Sequence, residues 1–420
     1  MRFTGIASLI TAFTVTAFAA PETIEKTQTA KTKKSVTAAK TAAPKKKNNK
    51  NQKKRIPPPA VVNISELAPN GGNVTALMLK AIKARTPKIV FDKPGVYEMQ
   101  PVALHRPVQI ILYDGVTIKA LPQKIVKGSK VKALPGLFCA QGVKQIYIKG
   151  SGNAVIQGGE LPVLAFRSSN NLSVSGITVT GGKIAIDADN CWNFRITNTV
   201  FDNISGNAAI FTGGGWNNMT DVQFRNMPSH ALTIVADAKG KVPNMTFENC
   251  EFFNNNTSVK VIAPAKFTIT PVDVKKNPKY RPPRMNFRNC RFFNNTGTDL
   301  ELYGALDNAI VRLDNNVFTN PANRAIKFAE FTAGSGVSAE IYNTIFRPAK
   351  DNPTVPILVC SLQDKPFGNI KFAKTTVYQP VNKKAIAFEL KKNQGNITGT
   401  LPVVADDGSV KNAELVMEGK

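Results

Sequence analysis

Met245-Thr-Phe-Glu-Asn-Cys-Glu-Phe-Phe-Asn-Asn255 and Met285-Asn-Phe-Arg-Asn-Cys-Arg-Phe-Phe-Asn-Asn295 agree at eight of eleven positions. An internal repeat decides the architecture before any single element does. Anchoring on the central Asn and searching outward gives eight copies, at Gly176, Asn198, Asp221, Asn249, Asn289, Asn315, Asn343 and Lys374. Two residues before each anchor stand Val174, Ile196, Met219, Phe247, Phe287, Leu313, Ile341 and Phe372. Three residues after it stand Val179, Phe201, Phe224, Phe252, Phe292, Phe318, Phe346 and Val377. All sixteen are apolar. Alternation that breaks at one residue and resumes with a new inward set describes strand, bend and strand, not a helical face of period 3.6. Asn suits the bend because it tolerates the left-handed backbone and bonds neighbouring backbone groups.

Successive anchors lie 22 to 40 residues apart. That spacing fits a coil of three short strands per turn with loops of varying length, an all-β, right-handed parallel β-helix. Stacked turns put six Phe in one interior column at the strand spacing of about 4.8 Å. Cys250 and Cys290 occupy one interior position on consecutive turns, where a disulfide is compatible with the spacing but not required. Five cysteines spread thinly do not resemble a disulfide scaffold. Weaker rungs are expected at Val108 to Ile118 and Lys144 to Ile156, and a short helix over Leu77 to Ala84 is expected to cap the core.

The flanks divide the chain. Residues 1–20 have the layout of a signal peptide, with an apolar run from Ile6 to Phe18 and Ala17-Phe18-Ala19 at the cleavage end. Residues 21–59 hold twelve Lys and Arg against two Glu and almost nothing large and apolar, so they predict a disordered basic tether. Residues 60–420 form the β-helix domain. No later segment is long and apolar enough for a transmembrane span. The expected location is secreted, periplasmic or at the cell surface, with envelope association through the tether.

Asn73-Val-Thr-Ala-Leu-Met-Leu-Lys-Ala-Ile82, then Ile89-Val-Phe-Asp-Lys-Pro-Gly-Val-Tyr97, is similar to the N-terminal module of the pectate-lyase-like superfamily. The resemblance covers roughly residues 61 to 400 and is architectural. It implies polysaccharide lyases, hydrolases or epimerases, and also noncatalytic attachment proteins. The motifs of polygalacturonase-like hydrolases are present only as fragments: Asp187-Ala-Asp189, Ser229-His-Ala231 and Arg324-Ala-Ile-Lys327.

A net charge of +27, still strongly positive without the tether, favours a polyanionic partner. Nucleic acid would explain the charge but neither the export signal nor the solenoid, which leaves an acidic polysaccharide. Its groove is expected over one sheet, on Lys183 to Asp187, Ala208 to Thr212, Ala231 to Val235, Ser258 to Ile262, Asp299 to Tyr303 and Arg324 to Phe328. Alternation turns Ile184, Ile186, Ile210, Leu232, Val259, Val261, Leu300, Leu302, Ile326 and Phe328 inward. Lys183, Asp187, Phe211, Thr233, Lys260, Asp299, Glu301, Tyr303 and Lys327 then face outward.

Cleavage of a uronate polymer by β-elimination needs a neutralised carboxylate and a base at C5. His230, Lys260, Lys327 and Glu301 are the catalytic candidates. Arg324, Asp299, Tyr303, Phe211 and Lys183 are the substrate-binding ones, and Asp187 with Asp189 is the candidate Ca²⁺ site. Two acidic residues at a turn are more often solvated bend residues than a metal site, a lone His at a strand edge is more often structural, and Glu301 can pair with Lys260 or Lys327 across rungs. Asp187, Asp299 and Glu301 otherwise supply a glycosidase pair. The basic stretch from Lys266 to Arg284 is expected beside the groove. Trp192 and Trp216 are expected either to stack on sugar rings or to cover the ends of the core. A lyase leads, with a noncatalytic envelope or matrix protein and a glycoside hydrolase as alternatives.

Overall fold

The computed structural model describes residues 59–124, 133–237, 242–262, 283–303, 309–331, 337–347, 357–361, 369–379, 386–390, 396–405, 407–412 and 414–417. The expected signal peptide, tether and most of the basic stretch before Arg284 lie outside them. No helix among the described residues is long and apolar enough to cross a membrane.

The anchor residues act as bends. Gly176, Asn198, Asp221, Asn249, Asn289, Asn315, Asn343 and Lys374 all have φ between +46° and +65°, and the sixteen apolar positions around them are at most 3% exposed. Such a bend costs Asn or Gly little, and the Asn side chains offset the remainder by bonding along the solenoid. Asn289 Nδ2 donates to Asn249 Oδ1 at 3.2 Å and Asn315 Nδ2 to Asn289 Oδ1 at 2.8 Å. A second ladder runs at the next bend, where Asn254 donates to Asn226 and Asn226 to Asp202. Inside that bend the buried amides of Asn255 and Asn295 donate to the carbonyls of Phe224 and Phe252, leaving no orphan donor.

The strands form two hydrogen-bonded sets, one of 12 strands and one of 25. The larger set contains two faces of the coil, joined where Trp192–Asp202 and Asn217–Arg225 run unbroken through a bend. Pairing among the described strands is parallel, except where Pro402–Ala405 meets Val410–Asn412. The interior column is as the repeat requires: Phe201, Phe224, Phe252, Phe292, Phe318 and Phe346 stack at centroid separations of 4.5 to 5.1 Å. Cys250 and Cys290 lie on consecutive rungs as free buried thiols bonded to backbone carbonyls. The upstream rungs are present, Val108–Leu112 pairing with Lys144–Gly150.

Two helices close the N-terminal end. Helix α1 (Ile64–Leu67) was not foreseen from the sequence, and α2 (Thr75–Lys83) begins two residues before the expected Leu77. Just ahead of that start, Asn73 Oδ1 accepts the Thr75 N–H at 3.0 Å. Met78 and Ala81 of α2 are buried on the core.

Candidate functional site

The 12-stranded sheet is the expected groove sheet. Its central strands are Leu164–Arg167, Ile184–Asp189, Asn207–Thr212, His230–Val235, Thr257–Ile262, Leu300–Tyr303 and Ile326–Phe331. Register builds one outward column from Asp187, Ile210, Thr233, Lys260, Glu301 and Lys327. The interior is built from Ile186, Ala209, Leu232, Val259, Leu300 and Ile326, with Ala188, Phe211, Ile234, Val261, Leu302 and Phe328 beside them.

Lys260, Glu301 and Lys327 come together on consecutive rungs. Lys327 Nζ donates to Glu301 Oε1 at 3.0 Å, and Lys260 Nζ stands 3.7 Å from Oε2. The Glu301 side chain is 12% exposed and the lysines under a third, so this triad is much less solvated than a surface pair. It carries one excess positive charge. His230 starts the strand beside Lys260, with Nδ1 3.1 Å from Ser229 Oγ. Burial lowers its pKa from the ordinary 6.5, Lys260 lowers it further, and Glu301 pulls the other way. The shift favours the neutral imidazole, the form that can act as a base.

Several expected positions are corrected. Phe211 does not face the groove: it is 1% exposed and packs 5.8 Å from Phe194, while Ile210 faces out. Ala208-Ala-Ile-Phe-Thr212 offers apolar side chains on both faces, so alternation has no contrast to read. Ile184, expected inside, is only partly buried, and Ala185 is buried in its place.

Asp299 is also inside. It is fully buried, in a register column that is Ala185, Ala208, Ala231, Ser258 and Ala325 on other rungs. Asn295 Nδ2 donates to Asp299 Oδ1 at 2.6 Å, and Oδ2 has no hydrogen-bond partner. Burial pushes this carboxyl well above 3.8, against the pull of Asn295. It does not line the groove.

Asp187 and Asp189 share Arg167. Asp187 Oδ2 accepts from Nη2, and Asp189 Oδ2 lies 3.9 Å from Nε. Burial opposes the Arg167 charge, but the bond to Asp187 and the attraction of both carboxylates outweigh it, leaving its pKa raised. As it stands the pair offers Ca²⁺ only two carboxylates, and Arg167 already engages both and offsets one of their two charges. Among the described residues no group of three or more His, Cys, Asp or Glu is placed to hold a metal. Arg167 escaped the sequence reading because its rung has no anchor and its partners are 20 or more residues away.

Asp187 is four rungs from Glu301, about 19 Å at the strand spacing, which exceeds the ~5–9.5 Å of a glycosidase pair. Lys183 reaches Glu160 at 2.6 Å on the rim. Arg324 shares the register position of His230 three rungs away, about 14 Å, and its Nη1 donates to the Asn323 carbonyl. The Tyr303 side chain and the basic stretch of residues 263–282 lie outside the described residues.

Trp192 and Trp216 do not cover the ends of the core. They sit mid-solenoid, 46% and 66% exposed, at the corner where the chain leaves the groove sheet. A separate concavity of about 360 Å³ opens on the first rungs of that sheet, between Ala103, His105, Cys139, Gln141 and Arg167.

No known protein family's profile matches the chain, and no curated protein does. Solved structures do. The A-module of a mannuronan C-5 epimerase from Azotobacter vinelandii is 11% identical, with a TM-score of 0.50 over 80% of this chain and 100% of that one. A family 28 exopolygalacturonase from Yersinia enterocolitica is 11% identical, at 0.47 over 86% and 78%. The surface protein and adhesin PfbA of Streptococcus pneumoniae is 12% identical, at 0.47 over 82% and 96%. The likeness is one of fold. The chain is a right-handed parallel β-helix protein, as the N-terminal resemblance implied.

Proposed function

We propose that the protein is exported and acts on an acidic polysaccharide, cleaving uronate linkages by β-elimination on the groove sheet. The observation that carries this reading is the net-positive Lys260–Glu301–Lys327 triad on consecutive rungs of the groove sheet, with His230 opening the strand next to that of Lys260. Lys260 and Lys327 neutralise the substrate carboxylate, which acidifies the C5–H bond. In the tautomer that donates from Nδ1 to Ser229, His230 Nε2 takes the C5 proton. The C4–O bond then breaks, a C4=C5 double bond forms, and the departing oxygen takes a proton from a lysine ammonium or from solvent. Glu301 positions the two ammonium groups and is not itself the acid, since both its oxygens are engaged. The fold neighbours include an epimerase of mannuronan and an exopolygalacturonase, which supports a carbohydrate ligand. The basic tether fits attachment to an anionic envelope.

The second reading, a noncatalytic polysaccharide-binding protein, is favoured by one observation: the triad is internally satisfied and lies away from the concavity on the first rungs. The deciding experiment incubates the protein with pectate and with alginate and follows ultraviolet absorbance of the new double bond. A rise that His230→Ala abolishes supports the lyase. Binding without any new double bond or new reducing end establishes the noncatalytic protein.

A further inference from the structure

Trp216 occupies a corner column in which the preceding rungs carry Asn171 and Asn193 and the following one Asn244. Asn171 and Asn193 are left-handed, and their side chains bond each other at 2.6 Å. Trp216 keeps the same backbone, at φ +58°, yet has no amide to continue the ladder. A bulky residue in that conformation is an outlier, and such strain persists where the side chain serves a function. Trp216 is also the most exposed of the large apolar side chains among the described residues.

Trp192 is on the rung before and is held in place. Its ring lies against Gly215, where a Cβ would come within 3.2 Å of Cζ3, so a larger residue there would push the indole aside by a few tenths of an ångström. Its Nε1 donates to Asn190 Oδ1 at 3.4 Å. The indole thus borders backbone on one side while the residue stays 46% exposed.

We infer that Trp192 and Trp216 form a preorganised stacking platform for the apolar faces of pyranose rings in a glycan chain lying along the groove sheet. This deepens the proposed function and rests on its assignment of a polysaccharide to that groove. The rungs that carry the two indoles end the strands bearing Asp187 and Ile210, and Ile210 is two rungs, about 10 Å, from Lys260. A ligand that reaches both platform and triad must span that rise and the six residues from Ile210 to Trp216, about 20 Å when extended, which selects a polymer over a monosaccharide. Flat indole faces accept sugar rings without regard to charge, so the platform supplies chain binding and the triad supplies selection for acid.

The chain contains two tryptophans, both at this corner, so tryptophan emission, excited at the red edge where tyrosine does not absorb, reports on the site. Oligouronates from pectate and alginate, and a neutral glucan oligomer, are titrated into the full-length protein. We expect a saturable emission change, about tenfold weaker binding in Trp216→Asn, and an unchanged or higher Tm in that variant because Asn suits the backbone. Trp192→Phe, which keeps a ring on Gly215, retains most of the binding. Unchanged affinity in Trp216→Asn, or a lowered Tm, overturns the platform. A fluorescence response to the neutral oligomer alone upholds the platform while sinking the acidic-substrate reading. Binding of oligouronates that Lys327→Met weakens, with no change in emission, upholds the charged site and overturns the platform.

Discussion

Replacing Glu301 by Gln keeps the shape of the side chain and removes the one negative charge that two lysines share. Exposed ion pairs contribute about 0.2–1 kcal/mol, and stripping a partner from a buried pair costs about 3–5 kcal/mol. Glu301 is 12% exposed and the lysines 27% and 29%, between those limits. Glu301→Gln therefore costs about 2 kcal/mol, with the 3.0 Å contact to Lys327 carrying more of it than the 3.7 Å contact to Lys260. Urea unfolding reads the loss. A double-mutant cycle with Lys327→Met returns a coupling of about 1 kcal/mol, and the cycle with Lys260→Met a smaller one. Because the contacts are partly buried, about 1 M salt weakens the effect without removing it. The same substitution removes the influence that raises His230, so its imidazole titrates at still lower pH. Proton resonance can follow this, since the chain has two histidines. A loss below about 0.5 kcal/mol, one erased by salt, or an upward move of His230 would refute the view of a shielded, coupled triad.

Phe252 stacks on Phe224 at 4.9 Å and on Phe292 at 4.8 Å; Phe252→Ala should cost about 3–5 kcal/mol in urea unfolding. It should couple to Phe292→Leu but not to Phe346→Leu three rungs away, and equal couplings would contradict a column of nearest-neighbour contacts. If His230 is the base, the rate on a uronate polymer rises with pH through a value below 6.5 and is flat above it. Lys260→Met shifts that rise upward, and a pH profile that does not move excludes the assignment. For Asp299 the folded carboxyl keeps a proton that the unfolded chain loses above 3.8, so its contribution to stability falls as pH rises past that value. Asp299→Asn should then raise Tm progressively more as pH climbs above 3.8, and a constant difference across pH would show that the group is not held protonated.

The bends were legible because Asn at the anchor and apolar residues at fixed offsets state a local requirement. The outward triad was legible for the same reason: Val259-Lys-Val261 and Leu300-Glu-Leu302 alternate with full contrast. Legibility ends where the contrast or the locality does. At Asp299 and Leu300 two consecutive residues turn inward as the chain rounds the corner, which breaks the period of two. Asp187 and Asp189 looked like a cation site because their cation, Arg167, comes from the neighbouring rung, a relation that only register supplies.

Phe252 and Phe292 stack at 4.8 Å although they lie 40 positions apart in the chain, whereas Phe201 and Phe224 stack at 5.1 Å from 23 positions apart. Register is therefore stored in the left-handed Asn corners and not in the length of what joins them. Each corner is latched to the next by its side-chain amide, so the length of chain between Ile262 and Arg284 can change without asking the core to repack. The scaffold separates inheritance of shape from inheritance of specificity, and the second can drift while the first stays fixed.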